Sequence, residues 1–149
     1  MKRVPWPVYI LWFLLMFLSI GAFYGGLLFI GDPSGESLGM NTSYLDNSPF
    51  NNFLLPGIIL LFFNGIFPLI ILSGFFFKKM EWAGFLNIYK DQHWPWTYSL
   101  YLGIILILWI DIQIMMIGYD MIQSVYAIYG VIMVVITLLP GVRDFYRKG

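Results

Sequence analysis

Apolar residues fall into four long blocks separated by short polar segments. A bilayer core about 30 Å thick takes roughly 20 residues of helix, so each block predicts one membrane span. The first runs from about Pro7 to Ile30 without a charge and ends at Gly31-Asp32-Pro33, because proline cannot continue a helix. The second runs from about Asn52 to Phe77 and is stopped by Lys78-Lys79. Ser48-Pro49 reads as an N-cap followed by a first-turn proline, which predicts a helix that starts ahead of the apolar block. The third runs from about Trp96 to Tyr119 with one charge, Asp111, and the fourth from about Met121 to Leu139, ending at Pro140-Gly141. The last two adjoin across Gly118-Tyr119-Asp120, which predicts a tight helical hairpin. The expected fold is all-α: one four-transmembrane-helix bundle over residues 1–149. A cleaved signal peptide has an apolar region of only about 7–15 residues, so the first block is expected to be a retained span.

Charge then orients the bundle. All eight Lys and Arg residues lie on one side of the four-span arrangement: Lys2 and Arg3, then Lys78, Lys79 and Lys90, then Arg143, Arg147 and Lys148. The opposite side carries Asp32, Glu36, Asp46 and Asp120. The positive-inside rule places both termini in the cytoplasm, in agreement with an even number of spans. Composition removes other classes. Charged residues make up 11% of the chain, against roughly 25% in a soluble domain. The 60% hydrophobic content excludes intrinsic disorder, and the net charge of 0 argues against nucleic acid as a partner. With no cysteine there is no disulfide, thiolate metal site or Cys nucleophile.

The loops carry structure of their own. The outer loop, residues 31–51, is rich in Gly, Ser, Asn and Asp but holds Leu38, Met40, Tyr44, Leu45 and Phe50. It is either a solvated connector or a segment folded back over the bundle mouth. Asn41-Thr42-Ser43 matches the glycosylation acceptor pattern, which arises often by chance. In the inner loop, residues 78–95, Trp82, Phe85, Leu86 and Tyr89 form a stripe at helical spacing. That predicts a short helix, lying in the lipid interface with Lys78, Lys79 and Lys90 toward anionic head groups or extending the second span against its own protein. Trp94-Pro95-Trp96 and Trp6 fall where aromatic belts are expected.

Polar residues inside spans are costly and therefore informative. Asp111 is the one ionisable group within a span, about two-thirds of the way toward the outer side. It is a proton or cation site, a docking point for a basic group, or a carboxylate hydrated near the outer surface. Gln113 shares a helix face with Trp109 and not with Asp111. Gln123, Tyr126 and Gly130 share one side of the fourth span, with Thr137 continuing it. Gln113 and Gln123 flank the hairpin at similar depth, where they can bond each other or backbone as structural glue, or form a ligand site. Asn64 sits mid-span with Gly57 on its side, and Pro68 four residues on frees its carbonyl and predicts a kink. Gly21 and Gly25, then Ala22 and Gly26, repeat at small-xxx-small spacing and predict a close helix seam. A single histidine, His93, excludes two-histidine haem ligation in the bundle, and no span holds two carboxylates. No nucleophile elbow or phosphate loop occurs, so no catalytic, cofactor or metal residue is assigned.

Taken together, Asp32-Pro33-x-Gly35-x-x-x-Gly39, Ser48-Pro49-Phe50-x-x-Phe53-x-x-Pro56-Gly57, Trp109-x-x-x-Gln113, Gln123-x-x-Tyr126-x-x-x-Gly130 and Pro140-x-x-Arg143 form a pattern over nearly the whole chain. In it the chain resembles the small four-span bacterial inner-membrane proteins of unknown function. The resemblance implies a compact bundle with an ordered first outer loop, in the inner (plasma) membrane, and names no reaction, ligand or partner. Asp111 lies outside the pattern, which shifts weight to Asp32, Gln113 and Gln123. The leading expectation is a non-enzymatic bundle that binds a lipid-like ligand, another membrane protein or a second copy of itself. The alternatives are an oligomeric channel or transporter using Asp111, Asn64 or the glutamines, and an enzyme on a lipid or quinone using Asp32, Glu36 and Asp46.

Overall fold

The structure, a computed structural model, describes residues 3–77 and 80–149; Lys2, Lys78 and Lys79 of the charge pattern lie outside the described residues. Among these, four helices are long and apolar enough to cross a membrane: α1 (Trp6–Gly31), α2 (Leu54–Phe76), α3 (Trp94–Ile117) and α4 (Met121–Leu138). A short α5 (Pro140–Phe145) follows. The chain runs up, down, up and down. The start of α1 and the end of the chain meet at one end of the bundle, where the Trp12 indole N–H donates to the Tyr146 hydroxyl at 2.9 Å. The loops 32–53 and 118–120 close the other end, here termed the loop end.

Each boundary has a local cause. Pro5 caps α1 in extended conformation with Pro7 in its first turn, and the helix stops where Asp32 leaves helical geometry ahead of Pro33. The expected start of α2 at Ser48-Pro49 is not what forms. The Ser48 hydroxyl donates instead to the Leu45 carbonyl at 2.8 Å and accepts the Phe50 N–H at 3.2 Å, so it closes a turn. Helix α2 begins six residues later, with Asn52 Oδ1 accepting the Leu54 N–H at 3.0 Å. Within α2 the backbone widens to a π-helix over Leu61–Ile66, with the Phe67 N–H reaching the Phe62 carbonyl. Pro68 explains it: the ring has no N–H and crowds the Asn64 carbonyl one turn back, and the wider turn absorbs both effects. Helix α1 supports the irregular turn, because the Ser19 hydroxyl donates to the Gly65 carbonyl at 2.7 Å.

Small residues set the helix seams. A Cβ on Gly57 would lie 2.6 Å from Phe29 Cβ, and one on Gly26 3.1 Å from the Gly57 carbonyl oxygen, so α1 and α2 touch through backbone. Gly103 and Gly130 do the same for α3 and α4, each within about 3 Å of the other's carbonyl once a Cβ is added. The Gly21–Gly26 repeat thus faces α2 at Gly25 and Gly26, while Gly21 looks toward the Tyr126 hydroxyl.

The inner-loop stripe forms only in part. A 3₁₀ segment covers Glu81–Leu86 and ends because Asn87 turns inward: its amide donates to the Gln92 carbonyl at 2.9 Å and its Oδ1 accepts the Thr97 hydroxyl at 2.5 Å. Trp82, Phe85, Leu86 and Ile88 are left facing outward, whereas Tyr89 packs edge-on against Trp96. Trp94 and Trp96 are also inside and not in a belt. Trp94 is 3% exposed beneath Gly74, and the Trp96 indole N–H donates to the Thr137 carbonyl at 2.8 Å. The indole N–H found a backbone acceptor in the bundle, so these rings pack as core. Trp6 does face outward.

Candidate functional site: a roofed cavity at the loop end

The loop 32–53 folds back over the bundle. Asp32 organises its first half: Oδ1 accepts the Ser34 hydroxyl (2.5 Å) and N–H (3.2 Å), and Oδ2 accepts the Ser37 hydroxyl (2.7 Å) and N–H (2.9 Å). The Ser34 hydroxyl first, then Ser37, holds this carboxyl down at about 2. Gly35 supplies the positive φ of +81° that turns the chain there. Asn41 accepts the Ser43 N–H at 3.0 Å to cap a second 3₁₀ turn. Leu45 and Phe53 are then buried, Phe53 stacking on Phe29 at 4.8 Å between ring centres. Leu38, Met40 and Phe50 are half-buried, whereas Tyr44 is exposed.

Beneath this roof lies a cavity of about 620 Å³. Leu38, Met40, Tyr44 and Phe50 cover it, and all four long helices wall it: α1 from Leu18 to Phe29, α2 through Pro56, Leu60 and Asn64, α3 through Leu106, Trp109 and Gln113, α4 through Gln123 and Tyr126. The walls are mainly apolar, with a few amide and hydroxyl groups. A pocket of several hundred cubic ångströms with few polar groups has the form of a small-molecule site.

Two of those polar groups are unpartnered. Asn64, 5% exposed, has no hydrogen-bond partner at Oδ1, and Gln123, 3% exposed, has none at Nε2. The Gln123 side chain is held by a capping box at the start of α4, its Oε1 accepting the Asp120 N–H at 2.9 Å while Asp120 Oδ1 accepts the Ile122 N–H at 3.3 Å. That cap takes the glutamine away from Gln113. Both line the cavity, but among the described residues no hydrogen bond joins them. Thr137 on the same side of α4 is spent inside its own helix, donating to the Met133 carbonyl at 2.7 Å.

Of the residues singled out from sequence, Asn64, Gln113, Gln123 and Tyr126 converge on the cavity. Asp111 does not: it lies on the outward face of α3, exposed and away from the lining. Asp32, Glu36 and Asp46 also stay outside it, Asp32 as the organiser of the roof and the other two exposed. One arrangement has no counterpart in the sequence reading. At the terminal end, Asn87, Gln92 and Thr97 form a buried polar knot against the chain's last residues, with the His93 N–H donating to the Tyr146 carbonyl (3.0 Å) and the Lys148 N–H to the Asp91 carbonyl (2.8 Å). Two amides within six residues, Asn87 and Gln92, were its only sequence signal. Comparison with known protein families, with curated proteins and with solved structures finds no match.

Proposed function

We propose that this chain is a multi-pass membrane protein whose work is to bind, and not to transform, a lipid-like molecule in the loop-end cavity. The observation that carries this reading is the cavity itself: about 620 Å³, walled by four helices, roofed by an ordered loop and lined mainly by apolar side chains. Neutral amides and a phenol are its deep polar groups, a set suited to orienting a ligand. Acid–base chemistry needs a titratable pair within reach of the substrate. The channel reading has less support, since Asp111 is exposed on its helix and does not line the loop-end cavity.

In this reading the protein sits in a bacterial inner membrane with both termini cytoplasmic. The segregation of Lys and Arg supports that orientation. The outward Trp82, Phe85 and Ile88 beside Lys90 support contact of the inner loop with a lipid surface. A cysteine introduced at Ser43 is expected to react with a membrane-impermeant maleimide on intact cells; reaction only after permeabilisation reverses the orientation.

Binding is tested by native mass spectrometry of the protein released from its own membranes. One lipid-like adduct per chain is expected, and its loss in Gly21→Leu. Gly21 lines the cavity, and a Cβ there meets nothing closer than the Tyr126 hydroxyl at 3.8 Å, so a leucine enters the space without disturbing backbone. Bare protein from both chains, or an adduct indifferent to Gly21→Leu, overturns the reading. The same spectra report whether the chain associates with itself.

A further inference from the structure

The cavity has an edge that faces sideways between α1 and α4. Tyr24 of α1, and Tyr119 and Ile122 at the entry to α4, line it yet are 69%, 69% and 60% exposed, and Tyr44 of the roof is 52% exposed. Residues that wall a cavity and are also largely exposed stand at its rim, so these four mark a mouth. Gly39, Gly118 and Asp120, lining and exposed as well, continue that rim up to the loops. The seam between α1 and α4 is closed lower down, where the Tyr129 hydroxyl donates to the Leu14 carbonyl and the ring stacks on Phe17 with centres 6.4 Å apart. Further up, Gly21 lines the cavity, is exposed and presents no side chain, and a Cβ there would meet nothing nearer than the Tyr126 hydroxyl at 3.8 Å. The antiparallel register of these pairs puts Tyr24 beside the first turn of α4.

Helix lengths set the depth of that mouth. Helix α4 has 18 residues, about 27 Å, which barely crosses a hydrocarbon core about 30 Å thick, so its first turn lies at the edge of the core. Helix α1 runs on to Gly31 and carries the roof above that level. The mouth therefore faces lipid where chains meet head groups, the level that favours the amphipathic ring of tyrosine, and three of the four rim residues are tyrosines. Inside, the lining runs along α1 from Phe29 to Leu18, about 16 Å, and its deep walls include Leu18, Leu60, Leu106 and Ile110. At about 30 Å³ per water-sized group, the 620 Å³ holds about 20 non-hydrogen groups, enough for one long chain and too few for both chains of a bilayer lipid. A charged head group would lose its hydration inside such walls and keeps it at the mouth. A chain arriving from the water above would first have to leave the bilayer and expose every methylene. Resting on the ligand-binding reading above, we infer that the cavity takes one hydrocarbon chain of a lipid from the loop-end leaflet, sideways between α1 and α4, and leaves the head group outside beside Tyr24, Tyr44 and Tyr119.

The test uses the full chain in lipid vesicles, to which two photoreactive phosphatidylcholines are supplied by lipid exchange, one with a diazirine at mid-chain and one with it on the head group. Adducts are mapped by peptide mass spectrometry. The mid-chain probe is expected to label the cavity residues Leu60 and Trp109 saturably, and the head-group probe to label Tyr24 and Tyr119 at the mouth but not those two. Met115, 85% exposed on α3, reports ordinary lipid contact in the same molecule. The chain has no cysteine, so Tyr24→Cys combined with Ile122→Cys can be bridged across the mouth by a short bis-maleimide. Mid-chain probe supplied after bridging is expected to label Leu60 and Trp109 at least tenfold less, with Met115 labelled as before, whereas probe supplied before bridging is retained and labels them fully. Undiminished labelling of Leu60 and Trp109 after bridging removes sideways entry, and labelling of Leu60 by the head-group probe removes the single-chain fit; cavity binding stands in both cases. If the mid-chain probe marks Met115 but neither Leu60 nor Trp109 saturably, the binding reading itself falls.

Discussion

Replacing Gly74 with alanine is expected to destabilise the bundle by about 2 kcal/mol. Gly74 lies in the last turns of α2 directly against the Trp94 indole, and a Cβ built there sits 2.2 Å from Cζ2 and 2.3 Å from Cη2, with Pro95 Cγ at 2.9 Å. Carbon–carbon contacts are most favourable at about 3.5–4.0 Å, so the ring must retreat by about 1.3 Å or more. It has no free direction. Its other side meets Gly84, where a Cβ would be 3.2 Å from that of Trp94, and Tyr98 stands edge-on at 5.1 Å. Tyr98 is itself tied to the Glu81–Leu86 segment, donating to the Ala83 carbonyl and accepting the Leu86 N–H at 3.2 Å. Overpacking a tight core costs about 1–3 kcal/mol, and the rigidity of the contact places this case at the upper end. The better helix propensity of alanine returns up to about 1 kcal/mol.

A net loss of about 2 kcal/mol is about a 30-fold fall in the folded-to-unfolded ratio. Unfolding of the purified protein by SDS in mixed micelles, followed by circular dichroism, measures it. Gly31→Ala is the control, since a Cβ there meets nothing within 4 Å, and its stability should stay within about 0.5 kcal/mol of wild type. A double-mutant cycle identifies the cause. Trp94→Leu alone leaves a cavity and costs stability, but in that background Gly74→Ala should cost at least 1 kcal/mol less than it does beside tryptophan. If Gly74→Ala matches Gly31→Ala, or the two costs simply add, the indole is not what the glycine accommodates.

Three other outcomes follow from the geometry. The Asp32 carboxyl is held at about 2 by Ser34 and Ser37, against about 3.9 in an unfolded chain, so its support of the roof is complete above about pH 4 and is lost as pH falls through 2. Amide exchange over residues 34–39, corrected for intrinsic rates, should therefore accelerate at low pH, and Asp32→Asn should show the fast exchange already at pH 6; equal protection in the variant would refute the role. Ser19→Ala removes the hydroxyl that serves the Gly65 carbonyl beside the π-helix and should cost about 0.6 kcal/mol, the average for interhelical bonds in membranes, with no measurable loss arguing that the irregular turn supports itself. Asp111→Asn changes an outward-facing group and should leave both stability and the lipid adduct of the native protein as in wild type, whereas a lost adduct would tie this residue to the site.

How far the sequence reveals this molecule depends on which property marks a residue's place. Runs of apolar residues mark the helix axes, because any residue there lies either in lipid or in the bundle, and the four blocks correspond to α1–α4. The same uniformity hides which face turns inward, since lipid-facing and core-facing positions are both apolar and no amphipathic stripe forms. Trp94 and Trp96 show the consequence: an indole near a helix start serves an interface belt or a packed core equally well, and only the acceptor at Thr137 and the bare backbone at Gly74 decide between them. Small and polar residues are what break the tie. The Gly25–Gly26 seam was legible because only small side chains permit backbone contact; Asn64, Gln113, Gln123 and Tyr126 were legible only as candidates, since the same cost of burying polar groups in lipid also marked Asp111, which faces outward. The spacing Asp120-x-x-Gln123 fits a capping box, but the expectation for Gln123 was a bond to Gln113 or to backbone, or a ligand site, and only the structure showed its Oε1 on the Asp120 N–H. What no spacing carries is an absence. Asn64 Oδ1 is buried without a partner because the helices packed around it supply none, a property of the assembled walls and not of the residue.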